Sequence, residues 1–587
     1  MCGIAGVMLT TTAAPPDPKV LTALTQALSH RGPDGTAQTQ SGNVTLIHTR
    51  LAIIDLAGGD QPLFAAHAAL IANGEIYNFR ELRAALPNTA FATHSDCEPP
   101  LHLWLRDGPA YTNSLRGMYA IALHDRAAET LTLSRDPFGI KPLYTAQIPD
   151  GLAFASEPQA LLATTLIPRR LRPSKRDELL QLQFTTGRET IFDGIDRVLP
   201  GETLTCTDGR IAARSRTDPL PPGPPDPITE SAALTRLNTA LMQSVDLHQR
   251  SDVPYGMFLS GGIDSAAILA LMSRLNQERV LAYTAGFDVP GAADEREAAA
   301  TTAKAAGARH ETIEITEAMV WRDLPKIVAA MDDPAADYAI IPTWFLAQRA
   351  AQDVKVVLTG EGGDELLAGY GRYRTALRPA WQFGRKMRST GTFDGLNILR
   401  EPSKTWRAGI AAAESSVSTP GRDRLAIAQA TDMQDWLPHD LLLKLDRCLM
   451  SHSLEGRTPF LDEAVVAATF RLPDALKIAN GRGKYLLRAW LAQALPQGRP
   501  FAKKQGFSVP IAAWIAAQGD RLAPLVAAQP AIAEIASPDR VRALFRHGDD
   551  RRRGFAAWTL LFYVLWHRVH IEARATDGGV LEALATY

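Results

Sequence analysis

In Met1-Cys2-Gly3-Ile4-Ala5-Gly6 a cysteine stands directly behind the initiator methionine. Removal of Met1, expected ahead of a small residue, leaves an α-amine and a thiol on the same residue. Their ordinary pKa values are about 8 and about 8.5, so the amine is matched to serve as base for its own side chain. N-terminal threonine nucleophiles work this way. An accidental small residue after Met1 is the competing reading, and the hexapeptide alone does not decide between them.

A second kind of chemistry is written in Ser260-Gly261-Gly262-Ile263-Asp264-Ser265, between a strand-like and a helix-like run. Two glycines let the backbone turn tightly with its N–H groups in one concavity, and the following helix N-terminus adds positive potential. That combination suits a phosphate or pyrophosphate. Ser260 and Ser265 supply hydroxyl donors, and Asp264 supplies carboxylate oxygen for Mg²⁺. The spacing is neither GxxxxGK[ST] nor GxGxxG. A similar loop, Thr359-Gly360-Glu361-Gly362-Gly363-Asp364-Glu365, follows the strand-like Val354–Thr359. Ligands of open α/β sheets bind beyond the carboxyl ends of strands, so both loops are expected to face one nucleotide, with Asp264 and Asp364 as the Mg²⁺ pair. A plain glycine turn and a solvated acidic turn are the bland alternatives.

The elements that must position these residues fall into two textures. Short β-type runs (Val44–Ile47, Ala69–Ala72, Tyr119–His124, Thr130–Ser134, Leu152–Ser156) dominate the first part, with helical periodicity at Leu21–Leu28, Phe79–Leu86 and Pro99–Arg106. This reads as a sheet-rich α+β domain over 2–214. Residues 215–228 contain Pro219, Pro221, Pro222, Pro224, Pro225 and Pro227, which exclude a helix or central strand and predict a stiff linker. From 229 to 587 the texture is different. A long amphipathic helix (Ile228–Arg250) is followed by strands at Tyr255–Leu259, Ala282–Phe287, Glu311–Ile315 and Val354–Thr359. Helices at Ala266–Leu275, Glu295–Ala306 and Trp344–Ala351 alternate with them, as in a parallel, doubly wound α/β sheet. Beyond Gly371 the pattern is mostly helical.

Bulk properties set limits. A chain of 587 residues exceeds what one core supports, so two or three domains are expected. Net charge is -1, with 46% hydrophobic and 21% charged residues, which gives no electrostatic case for nucleic acid or an anionic membrane. Four scattered cysteines with no CxxC pair suit a reducing cytoplasm and argue against structural zinc. The N-terminus lacks the features of a signal peptide. The longest apolar run, Phe555–Trp566, is too short to span a bilayer and is expected to be a buried helix.

The second half resembles the glutamine-hydrolysing asparagine synthetase family, and the likeness extends over nearly the whole chain. It is carried by SGGIDS, Asp332-Asp333-Pro334 with Ile341-Pro342-Thr343, TGEGGDE with Ala368-Gly369-Tyr370, Leu437-Pro438, and Lys444-Leu445-Asp446-Arg447. Met450 to Asp462 (MSHSLEGRTPFLD), Gly483-Lys484-Tyr485 and Lys503-Lys504-Gln505-Gly506-Phe507 continue the series. The first half resembles class II glutamine amidotransferases. Cys2 to Gly6, His30-Arg31-Gly32-Pro33-Asp34-Gly35, His48-Thr49-Arg50-Leu51-Ala52-Ile53, Asn73-Gly74-Glu75-Ile76-Tyr77-Asn78 and Ser95-Asp96 carry it.

The resemblance implies an N-terminal-nucleophile (Ntn) sandwich followed by a PP-loop α/β domain of the adenine nucleotide alpha hydrolase type. It implies Cys2 as nucleophile, with Asn73 and Gly74 as the oxyanion hole. Arg50, Leu51, Ile53, Asn73, Glu75 and Asp96 would bind glutamine. Leu259, Ser260, Gly261, Gly262, Asp264, Ser265, Ala285, Thr359, Gly360 and Lys484 would bind ATP, Glu361 would act in adenylate formation, and Asp264 and Asp364 would hold Mg²⁺. Glutamine would yield ammonia, ATP would adenylate the side chain of aspartate, and ammonia would convert the adenylate to asparagine. A cytoplasmic homodimer is implied as well.

Three alternatives stay open. They are a ligase amidating another carboxylate (a peptide, cell-wall or secondary-metabolite acid), a glutaminase with a degenerate ATP domain, and a non-catalytic protein on this fold. Departures from the family pattern are small: Thr359 for serine, Gly456 for a small aliphatic residue, and Pro99-Pro100 at a helix entry. Residues 378–419 match no motif.

Overall fold

The computed structural model describes residues 2–287, 289, 294–378, 386–502, 509–546, 550–575 and 577–585. The motif Lys503 to Phe507 lies outside the described residues, as does Met1.

Twelve strands lie ahead of the proline-rich segment. They are β1 (Gly3–Leu9), β2 (Gly35–Ser41), β3 (Val44–Arg50), β4 (Leu63–Ala65), β5 (Ala68–Ile76) and β6 (Gly117–Asp125). The others are β7 (Thr130–Arg135), β8 (Tyr144–Ile148), β9 (Gly151–Ala155), β10 (Ile195–Arg197), β11 (Glu202–Thr207) and β12 (Arg210–Arg216). Among the described residues they form two six-stranded antiparallel sheets, ordered β10-β8-β9-β1-β3-β2 and β12-β11-β7-β6-β5-β4.

Side-chain alternation along each strand explains how the sheets stack. Ile4 and Met8 of β1 meet Ala69 and Ile71 of β5 and Ala120 and Ala122 of β6 in a core between the sheets. The opposite face of β1 (Ala5, Val7, Leu9) buries against Leu24 and Leu28, in and just after the helix Pro18–Ala27. On the other side, Leu70 and Ile121 pack against Leu101 and Trp104 of the helix Glu98–Asp107. The result is a helix–sheet–sheet–helix sandwich. Pro99 and Pro100 sit in the first turn of that second helix, where missing N–H groups cost nothing.

No regular element occurs between Arg216 and the helix Glu230–His248. Beyond it come β13 (Tyr255–Phe258), β14 (Leu281–Phe287), β15 (Arg309–Ile315), β16 (Val356–Leu358) and β17 (Glu455–Arg457). They form a parallel sheet in the order β15-β14-β13-β16-β17. The chain moves outward through β14 and β15, then returns to place β16 on the other side of β13. The crevice between β13 and β16 is therefore a topological switch point, where ligands of such sheets bind. The four strands read from the sequence are present. The fifth, β17, was read only as a motif, because Glu, Gly and Arg are poor strand formers.

The C-terminal part is helical. Phe555–Trp566 lies inside the helix Arg551–His570, whose Trp558 and Trp566 are fully buried. Their indole N–H groups donate to the carbonyls of Ala336 (2.6 Å) and Asp332 (3.1 Å). Among the described residues, no helix is long and apolar enough to cross a membrane.

Buried ion pairs hold the double sheet against the parallel-sheet unit. Arg31 donates to both oxygens of Asp446 (2.8 and 3.0 Å) and to Glu157 (2.6 Å). Arg197 binds Asp333 through two bonds (2.6 and 2.7 Å), and Arg447, itself bonded to Asp332 within the second unit (2.7 Å), lies 3.7 Å from Glu157 of the first. Arg116 makes a two-point contact with Asp462 at 2.7 Å. Desolvation offsets much of the Coulomb gain of such pairs, but losing one partner strands a buried charge at a cost of several kcal/mol. They therefore fix how the two units meet.

Candidate active sites

Cys2 precedes β1, beside the end of β3. Its thiol is buried and makes a long contact with the Leu51 carbonyl at 4.0 Å. Its backbone nitrogen, the atom that becomes the α-amine once Met1 is removed, donates to Asn73 Oδ1 at 3.2 Å. Burial pushes the thiol above its ordinary pKa, so a local base is needed to make thiolate. His48, paired with Ile4 in the β1–β3 ladder, does not supply one: burial and the Arg50 charge push it down to about 3.

Asn73, Gly74 and Glu75 are consecutive on β5. An added Cβ at Gly74 would lie 2.2 Å from the Met118 carbonyl of β6, so only glycine allows the close strand approach here. With Asn73 Oδ1 turned to Cys2, Asn73 Nδ2 is left with no hydrogen-bond partner among the described residues. The same is true of Glu75 Oε1, while Glu75 Oε2 lies 3.1 Å from Arg457. One buried donor and one buried acceptor near a thiol are the complements of a developing oxyanion and of an ammonium. Asp96 accepts from the Ile76 N–H at 2.8 Å. Burial raises both Glu75 and Asp96, and the Asp96 charge raises Glu75 further.

Arg50 is placed differently. Its guanidinium binds Asp60 (2.8 Å) and the carbonyls of Leu56 (3.2 Å) and Asp55 (2.6 Å). It is the latch of the loop 55–60, and only its remaining edge is open to a carboxylate. Leu51 and Ile53 are buried on the same segment. Asp34 joins this region to the other unit, accepting from the Ala52 N–H and from Lys355, both at 2.8 Å.

The second site lies at the switch point. Leu259 directly follows β13, and Ser260 to Gly262 turn into the helix Ile263–Leu275. The Ser260 and Ser265 hydroxyls lie 3.0 Å apart, and the Ser260 hydroxyl accepts from the Gly262 N–H at 3.1 Å. The Gly261 N–H is engaged by Glu295 at 3.0 Å. Ala285 is buried on the neighbouring β14. Thr359 and Gly360 follow β16, and Gly360 packs on Asp264, where an added Cβ would come within 3.0 Å of the Asp264 Cβ.

Lys484 ties the two loops together. Its ammonium bonds to Asp264 and lies 2.6 Å from Asp364 Oδ1. Gly369 is required where these groups meet, since its Cβ would fall 1.8 Å from Asp364 Oδ1. The two aspartates raise Lys484 against the opposing effect of burial, so it is a cation at neutral pH. A cavity of 390 Å³ opens beside them, lined by Gly261, Gly262, Asp264, Asp364, Lys484 and Arg488. Two hard carboxylates converging on one cation fit Mg²⁺, which binds one or two carboxylates and completes its shell with phosphate and water. Among the described residues no group of three or more His, Cys, Asp or Glu side chains is arranged to hold a metal ion. Glu361 lies on the same loop, where burial raises its pKa and Lys444 opposes the rise.

With both sites described, the sequence relations can be placed on them. Residues 236–568 match the family model described as asparagine synthase, more than half of the chain. The chain belongs to the asparagine synthetase family. Residues 1–216 match the glutamine amidotransferase domain, which takes in both antiparallel sheets. Asparagine synthetase (glutamine-hydrolyzing) 1 of Bacillus subtilis is 31% identical over 98% of this chain and 98% of its own length. Asparagine synthetase B of Escherichia coli is 29% identical, covering 86% of this chain and 82% of the relative. An amidase of Gibberella zeae is 31% identical over 59% of this chain and 54% of its own.

Within this asparagine synthetase family chain, the motif residues separate by task. Cys2, Asn73, Gly74, Glu75 and Asp96 come together around one thiol. Asp264, Asp364, Lys484, Thr359 and Gly360 come together at the switch point. Arg31, Asp332, Asp333, Asp446, Arg447 and Asp462, equally prominent as motif residues, form the seam between the units. Arg457 was read in the sequence only as a member of the motif Met450 to Asp462, with no role of its own. It is fully buried and touches the first site while carrying the backbone next to the second, and its sequence signal is a charged residue inside that motif.

Proposed function

We propose that the chain is a glutamine-dependent asparagine synthetase. The observation that carries this is the buried thiol of Cys2 beside two unsatisfied polar atoms of opposite character, Asn73 Nδ2 and Glu75 Oε1, in a molecule that also holds an ATP-type switch-point site.

In this reading the Cys2 sulfur attacks the side-chain amide carbon of glutamine, and the α-amine freed by Met1 removal takes the thiol proton. Asn73 Nδ2 and the Gly74 N–H bind the oxyanion; such donors act where charge develops and need no reorganisation. Glu75 and Asp96 hold the substrate ammonium, and the open edge of Arg50 takes its carboxylate. Ammonia leaves, and water releases glutamate from the thioester. At the second site Ser260–Ser265 and Thr359–Gly360 hold the phosphates of ATP, with Leu259 and Ala285 against the nucleoside. Asp264 and Asp364 would hold Mg²⁺, which supplies charge neutralisation on the phosphates. An aspartate side-chain carboxylate displaces pyrophosphate from the α-phosphorus. Ammonia then attacks the acyl carbon and releases AMP. Lys484 neutralises the departing pyrophosphate, and Glu361 faces the adenylate. In this reading the enzyme acts in the cytoplasm, where glutamine and ATP are supplied.

The relation to an amidase favours one second reading, amidation of a different carboxylate by the same steps. The deciding experiment follows pyrophosphate release, with glutamine and ATP present, across aspartate and a panel of peptide, cell-wall and other carboxylic acids. Aspartate as the one strong substrate supports the first reading. Turnover with another acid and none with aspartate overturns it.

A further inference from the structure

The two sites meet at one residue. The Arg457 guanidinium is fully buried and fans out to four partners. Nη2 lies 3.1 Å from Glu75 Oε2, and Nε bonds to Glu455 Oε1 at 2.6 Å. Nη1 donates to the carbonyls of His248 (3.0 Å) and Arg250 (2.6 Å). Its own carbonyl accepts the Thr359 N–H at 2.8 Å, and the Thr359 hydroxyl at 3.5 Å. Arg457 pairs with Leu358 in the β16–β17 ladder, so its backbone is the rail on which the loop Thr359–Glu365 begins. β17 is an edge strand of the parallel sheet, as β15 is, and is three residues long. It is held by one neighbouring strand only, and through the Arg457 side chain and carbonyl it is tied to both sites.

We propose that Arg457 is a positioning residue that couples occupancy of the Glu75–Asp96 pocket to the conformation of the ATP loop at Thr359. The inference rests on the glutamine and ATP roles given above. A guanidinium among Glu75, Asp96 and Glu455 is balanced against carboxylates on two sides. A substrate ammonium at Glu75 takes over part of that balance, and Arg457 is then held more by Glu455 on its own strand. Such a shift moves along β17 to the Arg457 carbonyl and from there to Thr359. The reverse route is equally open: nucleotide at Thr359 and Gly360 fixes β17 and with it the guanidinium that faces Glu75. Linkage requires the effect to be reciprocal, with the same factor in both directions.

The test uses the full chain with Cys2→Ala, which binds glutamine without consuming it. ATP dissociation constants, with Mg²⁺, are measured with and without saturating glutamine, and glutamine constants with and without ATP. We expect one factor, about fivefold or more, in both directions. In Cys2→Ala/Arg457→Lys the charge is kept, but one ammonium cannot bridge Glu75, Glu455 and two carbonyls. There the factor falls to about one while both ligands still bind. Glu455→Gln on the same background, which removes the competing partner and leaves Arg457 in place, should lower the factor as well, and serves if the lysine variant does not fold. Independent binding of ATP and glutamine in the Cys2→Ala chain overturns the inference and leaves the proposed function standing, as does undiminished coupling in both variants. Failure of the chain to bind glutamine or ATP at all overturns the functional reading, and this inference with it.

Discussion

The amidotransferase site and the ATP site solve the problem of holding unneutralised groups in opposite ways. The first sits on β-strand backbone between two packed sheets. Among the described residues its Asn73 Nδ2 and Glu75 Oε1 have no hydrogen-bond partner, and neighbouring strands fix Asn73 and Glu75 whether or not one is present. The second sits on loops at strand ends, and its two aspartates are already satisfied by Lys484. A site on strands can keep orphaned polar atoms, since the ladder absorbs the cost of desolvating them. A site on glycine loops cannot, because two facing carboxylates would push the loops apart. The first is therefore preorganised, and the second must exchange an internal cation for its ligands.

The largest expected effect separates the two sites outright. Cys2→Ala should lower glutamine-dependent product formation on the order of a thousandfold or more, since the other thiol beside the site, Cys97, is held on Asp96 and pushed well above its ordinary pKa by burial and the neighbouring carboxylates. Product formation from ammonium should persist at the native rate. Measuring both in one preparation checks this, and loss of the two together would mean that the sites are not divided as described.

Asn73→Ala tests the preorganised half. It removes the open Nδ2 donor and should reduce glutaminase kcat by about a hundred- to a thousandfold, with a much smaller change in KM. A rise in KM at constant kcat would instead make Asn73 a ground-state binding residue. The Cys2 backbone nitrogen also loses its acceptor, Asn73 Oδ1. Asn73→Asp is a useful companion, because it keeps an acceptor for that nitrogen and removes the donor.

Lys484→Met tests the exchangeable half. Asp264 and Asp364 lose their internal cation, so synthesis from ammonium should drop about a hundredfold while glutaminase activity changes little. The apparent Mg²⁺ affinity should rise, because a cation no longer has to displace an ammonium from the same two carboxylates. A fall in Mg²⁺ affinity would show that Lys484 organises the cation site rather than standing in for it.

These contrasts also explain what the sequence could reveal. Pieces of both sites stood out in the sequence because each piece is a short contiguous motif: SGGIDS and TGEGGDE sit at strand ends, and Asn73-Gly74-Glu75 lies on a single strand, whereas Asp96 and Lys484 were joined to them only by the family resemblance. The strands and helices that carry them were legible from periods of two and of about four, and the linker from its prolines. The seam was not legible. Arg31 and Asp446 are 415 residues apart, and nothing local to either says that they meet. β17 was missed for a related reason. Glu455 and Arg457 can occupy a strand interior only because Glu75 and the carbonyls of His248 and Arg250 arrive from elsewhere to satisfy them, and strand propensity carries no record of such partners.

The last contrast, read in stability rather than activity, sharpens the electrostatic side of the comparison, on the acidic surroundings of the ATP loop. Burial pushes the Asp440 carboxyl up to about 7, repulsion from Asp337 adds to the rise, and Lys444 opposes it. In the unfolded chain the same group titrates near 3.8. Between those values the folded state binds more protons than the unfolded one, so the contribution of Asp440 to stability is present below about pH 4 and lost as pH rises through 7. Asp440→Asn removes that dependence and can still accept the Trp436 indole hydrogen bond that Asp440 Oδ2 now takes at 2.6 Å. The variant should gain on the order of 4 kcal/mol relative to the parent between pH 4 and pH 8, read as the difference in urea midpoints at the two pH values. An unchanged difference would mean that Lys444 and its neighbours keep Asp440 ionised in the folded state. The loop would then be balanced by paired charge, as the seam is, rather than by a retained proton.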